Sequence, residues 1–450
     1  MFRDRFAALE PVHQAVTKKF DSLLSTDMGE PHTTAMHVVL IHQAFASPRE
    51  AGGTRHFEFA RRVVARGNKA TIIASSLSYH SGGQAGGSRR EIIEGVEVIR
   101  TYTYPSLHKS FVWRVISFFS FMFSSVPAAL FVKDVDIVMG TSPPIFQALS
   151  AWFVAKLRGR PFLLEIRDLW PSFALDIGIL KNPVLVFLSR KLENFIYRQA
   201  THILVNSPAY RTYMLGKGIP GSKVTLIPNG VDPTQFDAES IGRKFRDRWG
   251  LGDLFVAMYA GALGMANDIE TILRAAQHLR SKPEIKIVLV GDGKERTNLE
   301  AKAKTMRISN VLFVGAVPKQ EMPNALAASN VCIATLRNIP MFRMPYPNKV
   351  FDYLAAGRPI VLGIDGEIRK VVDNARAGIF VPPGDDNALA QAIVVLHCNR
   401  RMASEMGSNG RAFVVANFNR NTQADQFLEL MHQLLSKRNK MCTADSISGS

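Results

Sequence analysis

The stretch Arg343-Met344-Pro345-Tyr346-Pro347-Asn348-Lys349-Val350-Phe351-Asp352-Tyr353 carries the most pointed chemistry in this 450-residue chain. Its prolines precede Asn348, which suits a helix N-cap, and Lys349 and Asp352 then fall in the first turn. Three residues apart, they project from neighbouring parts of one face, so the ammonium can meet a phosphate while the carboxylate takes the two hydroxyls of a ribose. The plainer reading of Asp352 is that it offsets the helix dipole. Further upstream, Gly52-Gly53 precedes Thr54-Arg55 at the start of an amphipathic stretch. Backbone N–H groups there can approach an anion, unless the pair is merely a tight turn. No Gly-x-x-x-x-Gly-Lys-Ser/Thr loop occurs, and after Gly291 and Gly293 the third glycine of a dinucleotide fingerprint would fall on Arg296, which disfavours hydride transfer. Glu165-Ile166-Arg167-Asp168-Leu169-Trp170-Pro171 sets three charged groups against a Trp-Pro corner, suggestive in a cleft and ordinary in an exposed loop. Asp134-Val135-Asp136 has the form of a metal-holding pair, but it precedes an apolar run, at the amino end of a strand, and no metal site is expected there.

The elements that position these residues follow from apolar patterning. Short β-rich runs over 37–43, 69–76, 96–102, 136–142, 161–168, 202–208 and 224–230 alternate with amphipathic stretches, and a second series follows over 255–261, 286–293, 311–317, 331–337, 359–364 and 378–384. Such alternation predicts an α/β protein with two parallel sheets, each covered on both faces. Ligands in these sheets bind beyond the carboxyl ends of the strands, so two facing domains place the chemistry in the cleft between them. The expected divisions are an N-terminal extension over 1–35, a first domain over 36–236, a second over 237–417, a helix over 418–436 packing back on the first domain, and a disordered tail over 437–450.

Composition limits the partners. Lys plus Arg number 55 against 38 Asp plus Glu, a net charge of +17 that favours polyanions, but no dense basic arm of the kind that binds nucleic acid is present. The 3 cysteines are far apart, which fits a reducing cytoplasm better than a disulfide-stapled or zinc-bound fold. The uncharged run 115–132 lies between Arg114 and Lys133 and is slightly short of a membrane span. Its serines at 117, 120, 124 and 125 form a narrow polar stripe, which suits either a helix in the membrane interface or one buried in a large core.

Taken in order, the strand 37–45 with its Gly52-Gly53 loop, Glu165–Pro171, 224–232, 259–273, 287–293, 311–318 and 346–363 resemble the retaining glycosyltransferases of family 4, which have the GT-B fold of two Rossmann-like domains facing each other across a cleft. The branch it resembles most is the bacterial one that transfers N-acetylated deoxysugars in surface-polysaccharide assembly. The resemblance implies a nucleotide-sugar donor, a UDP-sugar favoured, in the second domain. Ala316 and Val317 would face the base, and Asp352, matching the second acid of the family's Glu-x7-Glu element, would bind the ribose. The first acid falls at Met344, and the loop positions where relatives bring an Arg and a Lys to the pyrophosphate fall at Ala262 and Asn267. That leaves Lys349, Arg343 and backbone at Gly52, Gly53, Gly261, Gly264 and Gly291, with Asn348 and Val350 alongside, to receive the diphosphate. Asp168 and His42 are the candidates for holding sugar hydroxyls at the cleft, and neither metal nor cofactor is expected. The acceptor would be a glycan or a polyprenyl-pyrophosphate-linked sugar, reached from the cytoplasm or from the inner membrane face. A sugar-nucleotide epimerase of the same fold and a non-catalytic nucleotide-sugar binder are the rival readings.

Overall fold

The computed structural model describes residues 35–50, 52–77, 89–105 and 111–448, with side chains to Arg438; the expected N-terminal extension lies outside them, apart from Ala35. The first sheet contains β1 (His37–His42), β2 (Lys69–Ser75), β3 (Arg90–Ile93), β4 (Val96–Thr101), β5 (Ile137–Ser142), β6 (Phe162–Ile166), β7 (His202–Val205) and β8 (Val224–Leu226), in the order β3-β4-β2-β1-β5-β6-β7-β8. All neighbours are parallel except β3, which pairs antiparallel with β4. The second sheet is wholly parallel: β9 (Phe255–Ala260), β10 (Ile285–Val290), β11 (Val311–Gly315), β12 (Val331–Thr335), β13 (Ile360–Gly363) and β14 (Gly378–Phe380), in the order β11-β10-β9-β12-β13-β14. Strand order reverses beside β1 in one sheet and beside β9 in the other. Loops part there to left and right, leaving a crevice at the strands' carboxyl ends.

Seven of the helices matter to the site or its approaches: α1 (Arg55–Ala65), α2 (Phe111–Phe131), α3 (Ile145–Leu157), α4 (Pro183–Gln199), α5 (Asn348–Ala355), α6 (Arg400–Asn417) and α7 (Arg420–Ser448). Because α7 continues in helical form to Ser448, the expected disordered tail is helix over most of its length. Its first half lies on α1, where Phe59 and Phe427 stack at 4.8 Å and Arg62 grips the Asp425 carboxylate with two hydrogen bonds of 2.8 Å. The antiparallel β3 was not anticipated from the sequence. It is short, its burial is irregular, and it is joined to β4 by the tight turn at Glu94-Gly95, where both residues have positive φ.

Helix α5, which carries Asn348, Lys349 and Asp352, is held in place from two sides. Tyr353 Oη receives the Ala260 N–H at 2.8 Å and donates to the Ala260 carbonyl at 3.0 Å, locking the helix to the end of β9. On its other side α6 approaches so closely that a Cβ at Gly407 would stand 2.1 Å from the Gly357 carbonyl oxygen. Alanine is the better helix former by about 1 kcal/mol, yet here its methyl group has no room. Gly407→Ala is therefore expected to lower the melting temperature and to cost about 1–3 kcal/mol of stability in chemical denaturation. Asn409→Ala, at an exposed position of the same helix, should leave both unchanged.

Candidate functional site

Between the two lobes lies a cavity of about 330 Å³. The first lobe supplies Gly52, Gly53, Thr54, Arg55 and Glu58 from the head of α1 and Gly230, Val231 and Asp232 from the loop after β8; the second supplies the ends of β9, β10 and β11 and the head of α5. Lys349 dominates its electrostatics. Its Nζ donates to Tyr259 Oη at 2.8 Å and to Asn267 Oδ1 at 2.7 Å and lies 4.3 Å from the Tyr259 ring centroid. Tyr259 in turn donates to the Ala262 carbonyl, and burial raises the pKa of its phenol, so it stays neutral. Among the described residues no carboxylate lies within ion-pair distance of Lys349. Burial accordingly pushes its ammonium down from 10.5 to about 7.

Asp352, one turn further along α5, is not left open in the same way: its Oδ2 receives Lys319 Nζ at 2.7 Å, and both side chains are mostly buried. Lys319 was missed in the sequence, although it stands two residues beyond Val317; nothing in the spacing reveals a partner 33 residues away. Helix α5 begins at Asn348 itself, capped by Pro347 without a side-chain bond, so Asn348 is not the N-cap. Its amide instead faces the Gly53 backbone across the cavity, about 3.5 Å from where a Cβ would sit, and its Oδ1 has no hydrogen-bond partner among the described residues. Gly52 adopts φ 143°, a left-handed value that favours glycine and lets the loop come this close.

Ala316, Val317, Asn267 and Gly291 also line the cavity, but several other candidates stand elsewhere. Arg343 ends a 3₁₀ turn that carries it away from Lys349 and beside Asp365. Val350 is fully buried in the core and its N–H bonds to the Pro347 carbonyl. The N–H groups of Gly261 and Gly291 donate to the Val290 and Gly315 carbonyls, at 2.9 and 2.7 Å, so these glycines shape the strand ends without offering donors to an anion. Gly264 accepts from Asn267 N–H and lies off the cavity wall. His42 is buried beneath the rim: its Nδ1 bonds Thr141 Oγ1 at 3.0 Å, Arg167 donates to its Nε2 at 3.2 Å, and burial with the nearby charges keeps the ring neutral. Asp168 accepts from Tyr210 Oη at 3.1 Å and lines a separate interlobe cavity of about 140 Å³ with Phe173, Phe342 and Pro345. Burial raises its pKa, opposed by Arg167 and the tyrosine bond. Met344, where the first acid of the Glu-x7-Glu element would fall, packs on the first lobe's core and its carbonyl takes the Ser207 hydroxyl.

The first-lobe rim rests on a buried charge cluster. Arg55 donates to Glu165 at 2.9 Å and to the Pro228 and Ile227 carbonyls, while His56 Nε2 bonds the other Glu165 oxygen. Burial alone would raise the Glu165 pKa, but His56, Arg55 and Arg167 outweigh it and hold the carboxyl well below its usual range. Arg420 at the start of α7 pairs with Glu58 at 2.7 Å, bonds the Gly230 carbonyl, and joins the cavity wall. Asp136, from the Asp-x-Asp stretch, takes the His37 N–H and so anchors a strand start. Among the described residues no group of three or more His, Cys, Asp or Glu could hold a metal ion.

Residues 51–230 match the family "Glycosyl transferase 4-like domain" and residues 255–399 match "Glycosyl transferases group 1". The two matches together take in most of the chain, which belongs to the glycosyltransferases of GT-B fold. It is similar to the "Probable glycosyltransferase WbjE" of Pseudomonas aeruginosa, 24% identical over 306 residues that cover 67% of this chain and 76% of that one. Among solved structures, sucrose-phosphate synthase from Thermosynechococcus elongatus superposes with a TM-score of 0.72 at 20% identity, covering 89% of this chain and 100% of the other. Anabaena HepE in complex with UDP-glucose superposes with a TM-score of 0.68 at 17% identity, covering 88% and 100%.

The state of Lys349 has a direct consequence for anion binding. Its folded pKa lies below the ordinary value, so between about 7 and 10.5 the unfolded chain holds more protons and this group's contribution to stability rises with pH. A bound diphosphate reverses the preference by favouring the ammonium, and above about 7 it binds only with proton uptake. Diphosphate affinity, read with inorganic pyrophosphate, is thus expected to be highest below pH 7 and to fall by up to about tenfold per pH unit above it, whereas Lys349→Met should bind weakly with this fall removed. Calorimetric titrations from pH 6 to 9 check it.

Proposed function

We propose that this chain transfers a sugar from a nucleotide-sugar donor, a UDP-sugar favoured, to a glycan or lipid-linked acceptor, with retention of anomeric configuration and without a metal ion. The observation that carries the reading is the pairing, on one face of α5, of a half-buried ammonium that has no carboxylate partner among the described residues with a carboxylate one turn away, both on the wall of an interlobe cavity. A departing nucleoside diphosphate needs fixed positive charge, and a ribose needs an acceptor for its two hydroxyls. Lys349 meets the first demand and Asp352 the second, with Lys319 orienting the carboxylate through its Oδ2. Asn348, whose Oδ1 is buried and has no hydrogen-bond partner among the described residues, stands on the same wall. That HepE binds UDP-glucose on the same fold supports a UDP-sugar here.

In this account bond cleavage leaves an oxocarbenium-like sugar facing the diphosphate. The acceptor hydroxyl attacks from the side the diphosphate is leaving, and a diphosphate oxygen takes its proton, so no dedicated side-chain base is required. Protonated Lys349 stabilises the charge that grows on the leaving group, an interaction stronger in the transition state than in the ground state. The donor sugar would be an N-acetylated amino or deoxyamino sugar, and the enzyme would work in the cytoplasm or at its membrane face.

Thermal shift against a panel of UDP-, GDP- and dTDP-sugars tests donor class. One nucleotide should stabilise the protein by about 3 kcal/mol at a hundred times its Kd, and flat responses throughout would remove the reading. Lys349→Ala and Asp352→Ala are each expected to lower donor turnover by about 10²-fold or more without unfolding, and NMR of the product should show the donor's anomeric configuration kept.

A further inference from the structure

Helix α2 is turned inside out for a helix facing water. Its exposed positions, spaced by three or four residues, are Trp113, Ile116, Phe119, Phe123, Pro127 and Phe131, with Phe123 68% and Phe131 85% exposed. Its serines turn toward the protein: Ser117 and Ser125 are buried, and Ser120 accepts the Tyr104 N–H. A helix on a soluble surface carries the opposite arrangement. The expectation of a core helix does not fit, because only 22% of the apolar window is buried; the expectation of a membrane-interface helix is the one left, with the phenylalanines outward and the serines against the protein.

The stripe is part of a larger face. Helix α3 lies between α2 and α4 and adds exposed Phe153 and Leu157. Helix α4 opens with Val184, Leu185, Phe187 and Leu188, all exposed, so among the described residues nothing covers its first turns. Charge on these helices is one-sided. Arg114, Lys156, Arg190, Lys191 and Arg198 are basic, whereas Glu193 is buried and bound by Lys217 and Tyr213. A second copy related by a two-fold axis would set this basic face against itself, while an anionic bilayer offers both apolar depth and opposite charge. From Phe119 a ladder of rings leads inward: Phe119 to Phe146 is 4.7 Å between centroids and Phe146 to Trp170 is 6.0 Å. Trp170 stands two residues after Asp168, which lines the smaller interlobe cavity among Phe173, Phe342 and Pro345.

We propose that the α2–α3–α4 face seats this protein on an anionic bilayer, and that the ring ladder guides the apolar tail of a membrane-borne acceptor toward the Asp168 cavity. The seating stands on the face alone; the guidance rests on the glycosyl-transfer reading above. The full chain is expected to sediment with phosphatidylcholine vesicles containing phosphatidylglycerol, weakly with phosphatidylcholine alone, and less as salt rises. Phe123→Ser combined with Phe187→Ser should weaken that binding at least about tenfold, with UDP affinity and melting temperature kept. A photoreactive prenyl pyrophosphate should label the Phe119–Phe146–Trp170 ladder, and Phe146→Ala should reduce the labelling. No sedimentation with anionic vesicles, or dimers in light scattering that the double variant dissolves in place of vesicle binding, overturns the seating. Labelling indifferent to Phe146→Ala overturns the guidance. Donor hydrolysis measured alongside separates the two readings, since a protein that turns over donor yet ignores vesicles loses only the seating.

Discussion

The ammonium of Lys349, half-buried against a phenol and an amide with no carboxylate in ion-pair distance among the described residues, is the feature on which the site depends. Burial lowers its pKa from 10.5 to about 7, so holding the proton there costs free energy relative to water. The fold meets this cost through rigidity: Tyr353 ties α5 to the end of β9, and the glycine contact between α6 and the chain at Gly357 presses the helix from behind. The residues around Lys349 keep it in place without neutralising it, which leaves its charge to be answered by a ligand.

Contrast with the other buried charges sharpens this. Glu165, completely buried, is met by Arg55 and His56, and Arg55 spends its remaining donors on the Pro228 and Ile227 carbonyls. Arg420 pairs with Glu58 and binds the Gly230 carbonyl. These compensated groups fasten the loop after β8 and the start of α7 to the head of α1, which sets the first-lobe rim of the cavity. Removing one partner from such a cluster strands a charge, so the cluster is structural. An uncompensated charge in a cleft has the signature of function.

The two sheets were legible because parallel strands buried on both faces read as apolar runs, and each run recovered from the sequence is a strand in the structure. Strand β3 was not, since four residues at a sheet edge carry little pattern. Within the site, Lys349 and Asp352 could be read because helical spacing fixes which side chains share a face. Arg343 could not: only six residues away, it lies on the far side of a 3₁₀ turn whose direction no spacing rule gives. Lys319 and Arg420 reach the cavity through contacts distant in sequence. For α2 the sequence shows the stripes and not which of them faces the sheet; that is decided by the packing of Ser117, Ser120 and Ser125 against the lobe.

The most direct measurement is the titration of Lys349 itself, followed by NMR of a lysine labelled with ¹³C at Cε and assigned through Lys349→Arg. An apparent pKa near 7 is expected in the free protein, raised by at least about two pH units on saturation with UDP, as a diphosphate supplies the missing opposite charge. A value near 10.5 that UDP leaves unmoved would contradict it, because Lys349 would then be an ordinary surface lysine and the cavity would lack the charge its chemistry needs.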